Sequence, residues 1–429
     1  MIKTLAKHRT INRAQKVPDL RFINFKNDWE ETKFGNLFKF KQTNSFSRDA
    51  LNYQKGKVKN IHYGDIHTKF RANFDVAKEY VPYINEDIDI SKIKNDNYCI
   101  EGDLVLADAS EDFNDIGKAV EIRNLNDEKI VAGLHTLIAR PQSGLFAPGF
   151  LSYLMKSKTV RLQIKILAQG TKVLGIAPRH LSEILFKLPQ KPEQQKISSF
   201  LGFVDGFIEN LQTQNETLQE YKRGIIQKIF NQEVRFKDEK GKNFSKWEEK
   251  KLGEFLKERR EYSTKGKGYT HISLTTQGVV PKSERYNRDF LVGDDEVKGY
   301  KITRLNDLCY NPANLKFGVI TLNKLSAGIF SPIYVTFEII DQDVDFIGYC
   351  LCRTAFINKA RRYEQGTVYE RMAVSPADFL KVKIKLPSVL EQKKISAYLQ
   401  AIDNEIKLKE EQIEQAEEWK KGLMQELFI

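Results

Sequence analysis

Residues 188–208, LPQKPEQQKISSFLGFVDGFI, come back as residues 386–406, LPSVLEQKKISAYLQAIDNEI. Leu188-Pro189, Glu193, Lys196-Ile197-Ser198, Leu201, Asp205 and Ile208 correspond to Leu386-Pro387, Glu391, Lys394-Ile395-Ser396, Leu399, Asp403 and Ile406 at a constant offset of 198. Lys222, Gly224, Gln227 and Phe230 keep that offset as Lys420, Gly422, Gln425 and Phe428. Upstream, Trp29-Glu30-Glu31 and Gly35 return as Trp247-Glu248-Glu249 and Gly253. Inside these frames the likeness nearly vanishes. A duplicated scaffold with two different payloads presents two distinct surfaces in related orientations.

The repeated segments read as long helices. Apolar residues fall at Ile197, Leu201, Val204, Ile208, Leu211, Leu218, Ile225 and Ile229, in alternating steps of four and three. Asn215 and Lys222 fill the seam positions left open. The second copy places Ile395, Leu399, Ile402, Ile406, Ile413, Ala416, Leu423 and Leu427 on the same register, interrupted by Lys409 and Lys420. Such spacing is a heptad seam, and the prolines just before each run suit a helix start. Phe200, Phe203 and Phe207 in the first copy, with Tyr398 and Trp419 in the second, widen the seam enough to bury more than one partner helix. Each seam covers roughly 50 Å. Burying the two against each other requires an antiparallel pair with a payload at each end.

Charge separates scaffold from payload. The 429-residue chain carries a net +12. Residues 190–230 are neutral and residues 388–429 carry −3, which leaves +15 on the rest. The basic excess therefore lies in the payloads and points them at a polyanion such as nucleic acid. An evenly basic protein, or a coiled-coil scaffold for two proteins, would not partition its charge this way. No run of eighteen apolar residues occurs, so no transmembrane span is expected. The basic start has no apolar segment of a secretory signal, and four cysteines suit a reduced, cytoplasmic compartment. Cys350-x-Cys352 has no matching pair for a metal site.

The payloads read as mixed α/β with short strands, for example across residues 97–107, 129–139, 329–340 and 381–386, and with helical patterns over 149–167 and 346–364. Gly102-Asp103-Leu104 with Asn306-Asp307-Leu308, Ala132-Gly133 with Ala327-Gly328, and Gln169-Gly170-Thr171 with Gln365-Gly366-Thr367 suggest one fold used twice. The expected fold class is α+β: two similar mixed α/β domains separated by two long helices forming an antiparallel coiled coil, with an internal pseudo-two-fold repeat. The expected division is a basic arm over 1–19, a domain over 20–188, a helical spacer over 189–231, a second domain over 232–387 and a second spacer over 388–429.

Residues 170–201, GTKVLGIAPRHLSEILFKLPQKPEQQKISSFL, and 366–399, GTVYERMAVSPADFLKVKIKLPSVLEQKKISAYL, resemble the end of a target recognition domain running into its spacer helix. The openings VPDLRFINFKNDWEETKFGNLF and EVRFKDEKGKNFSKWEEKKLGEFL, and the segment YNPANLKFGVI, carry the same likeness. The family is the specificity subunit of type I restriction–modification systems. Gln190-Lys191-Pro192 departs from its usual tighter Pro-Pro run. The resemblance implies a subunit without chemistry of its own, reading a split double-stranded DNA sequence with one half per recognition domain. It implies docking to two adenine methyltransferase subunits, joined by restriction/translocase subunits, with S-adenosylmethionine, ATP and magnesium belonging to those partners.

The residues agree that chemistry is missing: neither a G-x-x-x-x-G-K-[ST] loop nor a G-x-G-x-x-G after a strand is present. A stand-alone nuclease or methyltransferase would need more than the two imitations found. Pro18-Asp19 with Glu31-Thr32-Lys33 mimics a metal-dependent nuclease set, but the second copy lacks its Pro-Asp. Asn311-Pro312-Ala313-Asn314 lacks the final aromatic of a methyltransferase loop.

Phosphate contacts need Lys, Arg, hydroxyls or exposed N–H groups, whereas base contacts need Arg, Lys, Asn, Gln or apolar groups. In the first domain the loop candidates for DNA contact are His62, Tyr63, Asp65, His67, Lys69 and Arg71, then Thr171, Lys172 and Arg179. In the second they are His271, Ser273, Thr275, Thr276, Gln277, Lys316, Thr367, Tyr369 and Arg371. The Gly-Thr loops stand out, because glycine lets a backbone approach a groove edge closely.

Overall fold

The computed structural model describes residues 5–7, 16–264, 268–282, 299–365 and 372–429. Two compact units divide the chain: Met1–Thr213 with Glu410–Ile429, and Gln214–Lys409. None of the described helices is long and apolar enough to cross a membrane.

The repeated segments form the helices Lys191–Phe230 and Val389–Glu426, of 40 and 38 residues. Each begins within two residues of a proline that the chain places just before the heptad seam, as a fixed proline φ favours. In the first unit, Ile197, Leu201, Val204, Ile208 and Leu211 share one apolar core with Ala416, Leu423, Leu427 and Phe428. The start of one helix thereby lies with the end of the other, so the pairing is antiparallel. In the second unit, Ile395, Leu399 and Ile402 share a core with Ile229. The wider stripe does not follow the seam into the interior. Phe200 packs edge-on against Phe22 and Trp419 at 5.9 and 6.3 Å. Phe203 and Phe207, however, remain 63% and 49% exposed, one helical turn apart on a face that the described residues leave uncovered.

Each unit fastens its domain to the helices with the same parts. Glu30–Lys33 pairs antiparallel with Leu185–Leu188, and Glu248–Lys251 pairs likewise with Lys383–Leu386. The tryptophan before each first strand meets a helix-end phenylalanine edge-on, Trp29 with Phe428 at 6.3 Å and Trp247 with Phe230 at 6.1 Å. Arg21 grips Glu193 with Nε and Nη2, both at 2.7 Å, and Arg235 grips Glu391 at 2.8 and 2.7 Å. Charge-assisted forks of this kind fix orientation as well as adding energy.

The domain sheets correspond in part. The first unit orders Phe38–Lys41, Thr136–Pro141, Leu104–Ala107, Ala119–Asn124 and Asn73–Asp75 into one sheet. The second orders Leu256–Glu258, Val335–Ile339, Leu308–Tyr310 and Ile320–Leu322. Gly102 and Asn306, just before the matching central strands, both take left-handed backbone at φ 90° and 70°, which explains why that motif recurs with glycine or asparagine. Asp103 and Asp307 then accept bidentate bonds from Arg140, on the strand Thr136–Pro141, and from Arg259, just after Leu256–Glu258. The segment expected as an N-terminal arm contributes a strand, Leu5–Lys7, antiparallel to Leu20–Phe22. Residues 129–139, read as one strand, split at a turn into Ile130–Ala132 and Thr136–Pro141, which join different sheets.

Candidate nucleic-acid interface

In the first unit the segment read as a loop around residue 65 is a short helix, Tyr63–Thr68, capped by His62, whose Nδ1 accepts from the Gly64 N–H at 3.2 Å. His62 is buried. Burial, followed by the nearby Arg48 charge, lowers its pKa. Asp65 is fully buried beneath the same helix and accepts a fork from Arg48 at 2.7 and 3.1 Å, with Lys69 at 2.9 Å. Burial works to raise that carboxyl, but the bonds from Arg48 and Lys69 overcome it and hold it below the usual range. His62 and Asp65 thus serve the local fold, while Tyr63, His67 and Lys69 are displayed by it. Lys69 also reaches the Tyr53 hydroxyl at 3.0 Å, and Tyr53 stacks on the largely exposed Tyr80 with centroids 4.5 Å apart. Arg71 ion-pairs with Glu209 of the long helix at 2.6 Å.

The Gly-Thr loop is built to one shape. Gln169 and Gly175 exchange backbone hydrogen bonds at 2.9 and 2.7 Å, closing the loop, and Leu174–Gly175 pairs with Ala109–Ser110. Gly170 has φ 128°, and a Cβ there would stand 2.0 Å from the Val173 carbonyl, so only glycine fits. Thr171 and Lys172 are exposed on this loop, and Arg179 is exposed on the short helix Pro178–Leu181 that follows.

These two candidate segments converge. His67 Nε2 lies 3.0 Å from the Ala109 carbonyl, and its Nδ1 is buried without a hydrogen-bond partner. Tyr63 meets the rings of His67 and His135 edge-on at 5.8 and 5.4 Å. His135 Nδ1 stands 3.4 Å from Asp108. Asp108, His135, Val173, Arg179 and His180 line one open recess of about 480 Å³. The sequence reading passed over Asp108, His135, Arg48, Tyr53 and Tyr80. The weak Ala132-Gly133 correspondence was the only available signal for His135.

In the second unit His271 lies on the strand Thr270–Thr275, its ring 4.9 Å from Tyr300. The hairpin then turns through Thr275, Thr276 and Gln277. The Thr275 hydroxyl donates to the Gly278 carbonyl at 3.0 Å and accepts from the Gln277 N–H at 3.0 Å, leaving Thr276 and Gln277 exposed. Ile272 and Leu274 of this hairpin share an apolar cluster with Val319, which follows the 3-10 turn Leu315–Phe317 carrying exposed Lys316. Lys316 Nζ lies over the exposed Phe317 ring at 5.0 Å. Thr367, Tyr369 and Arg371 lie outside the described residues. On either side of them Gln365 and Ala373 exchange backbone bonds at 3.0 Å each, as Gln169 and Gly175 do in the first unit.

The two imitations of catalytic motifs have structural occupations. Lys33 pairs with Glu183 at 2.6 Å on the solvent side of its strand. Asn311 is buried and its side chain accepts from the N–H groups of Ala313 and Asn314. Among the described residues no group of three or more His, Cys, Asp or Glu is placed to hold a metal ion. Burial pushes the Cys350 thiol up, while Cys352 is exposed.

One domain plan used twice, with repeated fastenings and unlike exposed loops, defines a two-site recognition protein. Residues 26–220 match the family described as the type I restriction modification DNA specificity domain. The type I restriction enzyme MjaX specificity subunit of Methanocaldococcus jannaschii is 26% identical over 427 residues, covering 92% of either chain. The crystal structure of a type I restriction–modification S subunit from M. genitalium superposes with a TM-score of 0.55 at 16% identity, over 96% of this chain and 99% of that one. A structure described under complex assembly and conformational transition of the type I R-M system has the same TM-score of 0.55, at 13% identity over 92% and 96% of the two chains. Residues 26–220 thus carry a type I restriction modification DNA specificity domain, and the chain is similar to a type I specificity subunit over most of its length.

Proposed function

We propose that this chain is the DNA-reading subunit of a type I restriction–modification complex. The domain over residues 20–188 reads one half of a bipartite double-stranded target and the domain over 232–387 reads the other. The spacers over 189–231 and 388–429 dock two adenine methyltransferase subunits and set the distance between the half-sites, with residues 1–19 as an appended basic arm. Restriction/translocase subunits join through the methyltransferases. S-adenosylmethionine, ATP and magnesium act in those partners, and the assembly works in the cytoplasm.

One observation carries this reading: the fastenings to the long helices repeat residue for residue while the displayed loops do not. Arg21–Glu193 and Arg235–Glu391 are the same device. The first domain displays His67 on the helix Tyr63–Thr68, whereas the second displays Thr276 and Gln277 on a hairpin turn. Concentration of positive charge in the domains supports DNA as the ligand. Tyr63, His67, Lys69, Thr171, Lys172 and Arg179 are the proposed contacts of the first domain. His271, Thr275, Thr276, Gln277, Lys316, Thr367, Tyr369 and Arg371 are those of the second.

Exchange of residues 20–188 for the matching domain of a related chain tests the division of labour. Mapping methylated adenines in cells carrying the complete system should show one half-site changed and the other kept. A change in both halves, or in neither, contradicts it.

A further inference from the structure

Asp108 places a carboxylate in the middle of a surface otherwise suited to a polyanion. It follows the buried strand Leu104–Ala107 and is held by its backbone from two sides. Its N–H donates to the His135 carbonyl at 3.0 Å, and its own carbonyl accepts from the Ile176 N–H at 2.9 Å. The side chain is 29% exposed and opens on the recess lined by Val173 and Arg179. Against a phosphate such a group is repulsive. Against a base edge it is an acceptor for an exocyclic amino group.

The internal repeat supplies an independent observation. Asp103 and Leu104 correspond to Asp307 and Leu308, and the same offset brings Asp108 to Pro312. The backbone agrees, because the Val374 N–H donates to the Pro312 carbonyl at 3.2 Å as Ile176 does to Asp108. Scaffold positions keep their chemistry across the repeat: Glu193 and Glu391, Asp205 and Asp403, Lys222 and Lys420. This position is held by the same backbone bond in both domains, yet it exchanges a carboxylate for a ring that neither donates nor accepts. Two domains that read different sequences from one frame require differences of this kind.

We infer that Asp108 is a specificity-determining residue of the first domain, accepting a hydrogen bond from the exocyclic amino group of a cytosine or adenine in the major groove. Arg179, which lines the recess, and the exposed Lys172 of the adjoining loop hold the flanking phosphates. The inference rests on the reading of residues 20–188 as a DNA-recognition domain. Strands hold the carboxylate rigidly, as base reading demands.

The test uses the complete complex with its methyltransferase partner. Methylome mapping gives the wild-type target, and binding is then measured on duplexes in which each base pair of both half-sites is replaced in turn. Asp108→Ala should abolish discrimination at one position of one half-site, where the wild type prefers its base about tenfold or more. Asp108→Asn keeps the volume and both backbone bonds, so a changed preference at that same position must come from charge and lone pairs. Replacing the preferred cytosine by 2-pyrimidinone, or the adenine by purine, should cost the wild type about as much as the Ala variant loses. Retained reading of the second half-site in the same molecules reports an intact fold. Discrimination unchanged at every position, or affinity lowered equally for all sequences, overturns the assignment. A wild-type complex with no preference in either half-site overturns the underlying specificity reading instead.

Discussion

The Tyr153 hydroxyl donates to the Asp205 carboxylate at 2.7 Å, and Lys420 closes on that same carboxylate while lying 6.0 Å from the centre of the Tyr153 ring. The second unit repeats the arrangement with Tyr349, Asp403 and Lys222: the hydroxyl donates at 2.5 Å and the lysine lies over the ring at 5.7 Å. In each unit the tyrosine belongs to the domain, the aspartate to the helix leaving it and the lysine to the other long helix. Burial and then, for Tyr153, the Asp205 charge push the phenol pKa up; Tyr349 is raised likewise by burial and its bond to Asp403. Both phenols therefore remain donors at neutral pH.

The repeated clamp predicts matched mutational effects. Asp205→Ala and Asp403→Ala each remove the shared acceptor of a neutral and a charged donor, and each should cost about 1–3 kcal/mol. Tyr153→Phe and Tyr349→Phe leave the ion pair in place and should cost about 1 kcal/mol or less. Denaturant unfolding of the variants checks this. A large loss for one aspartate beside none for the other would contradict the equivalence of the clamps.

The two buried forks should differ. The Arg21 and Glu193 side chains are 4% and 2% exposed, whereas Arg235 keeps 25% exposure against fully buried Glu391. Glu193→Gln strands a guanidinium away from water and should cost about 3–5 kcal/mol. Glu391→Gln leaves a guanidinium that water still reaches, so its cost should be clearly smaller. Hydrogen exchange at the start of each long helix measures the two separately, and equal losses would count against the argument from burial.

His62 gives stability a pH dependence of definite sign. Its folded pKa is lowered, so the unfolded chain takes up this proton first as pH falls through about 6.5. Stability should therefore decline below that pH, and the decline attributable to His62 should end once the folded ring is protonated too. His62→Asn keeps a side-chain acceptor at the helix cap but does not titrate. Melting temperatures of wild type and variant should run parallel above about pH 7.5 and separate below about 6.5; parallel curves throughout would show that the ring's proton is not linked to folding.

The long helices, their pairing and the duplicated fastening were legible because they rest on period and repetition, which a sequence carries openly. Lys222 and Lys420 were visible as matched interruptions of the seam, but their aspartate partners were not, since partner choice depends on the register between helices. The site was legible only in patches. His62 through Lys69 looked like a loop because a six-residue helix is too short to show apolar periodicity, and its His62 cap is a backbone role that residue type does not announce. Asp108 was passed over because its place at the recess depends on backbone bonds to the distant His135 and Ile176, which no local pattern announces. The Gly-Thr loop was found for a sound reason: at Gly170 the Val173 carbonyl leaves no room for a Cβ.

The proposed spacer role predicts that helix length sets the gap between half-sites. Inserting four residues after Gln214 and four after Gln412 lengthens both helices by about 6 Å, nearly two base-pair steps at roughly 3.4 Å each. Four residues keep each helical face approximately in line but break the strict heptad as a stutter, so the seam should persist with local unwinding. Inserting into one helix alone would instead shift Lys222 and Lys420 relative to Asp403 and Asp205, and should weaken the clamps without a defined new spacing. Methylome mapping of the double insertion should therefore show both half-sites unchanged and the unread gap widened by one or two base pairs. An unchanged gap in an active complex would mean that something other than these helices fixes the distance.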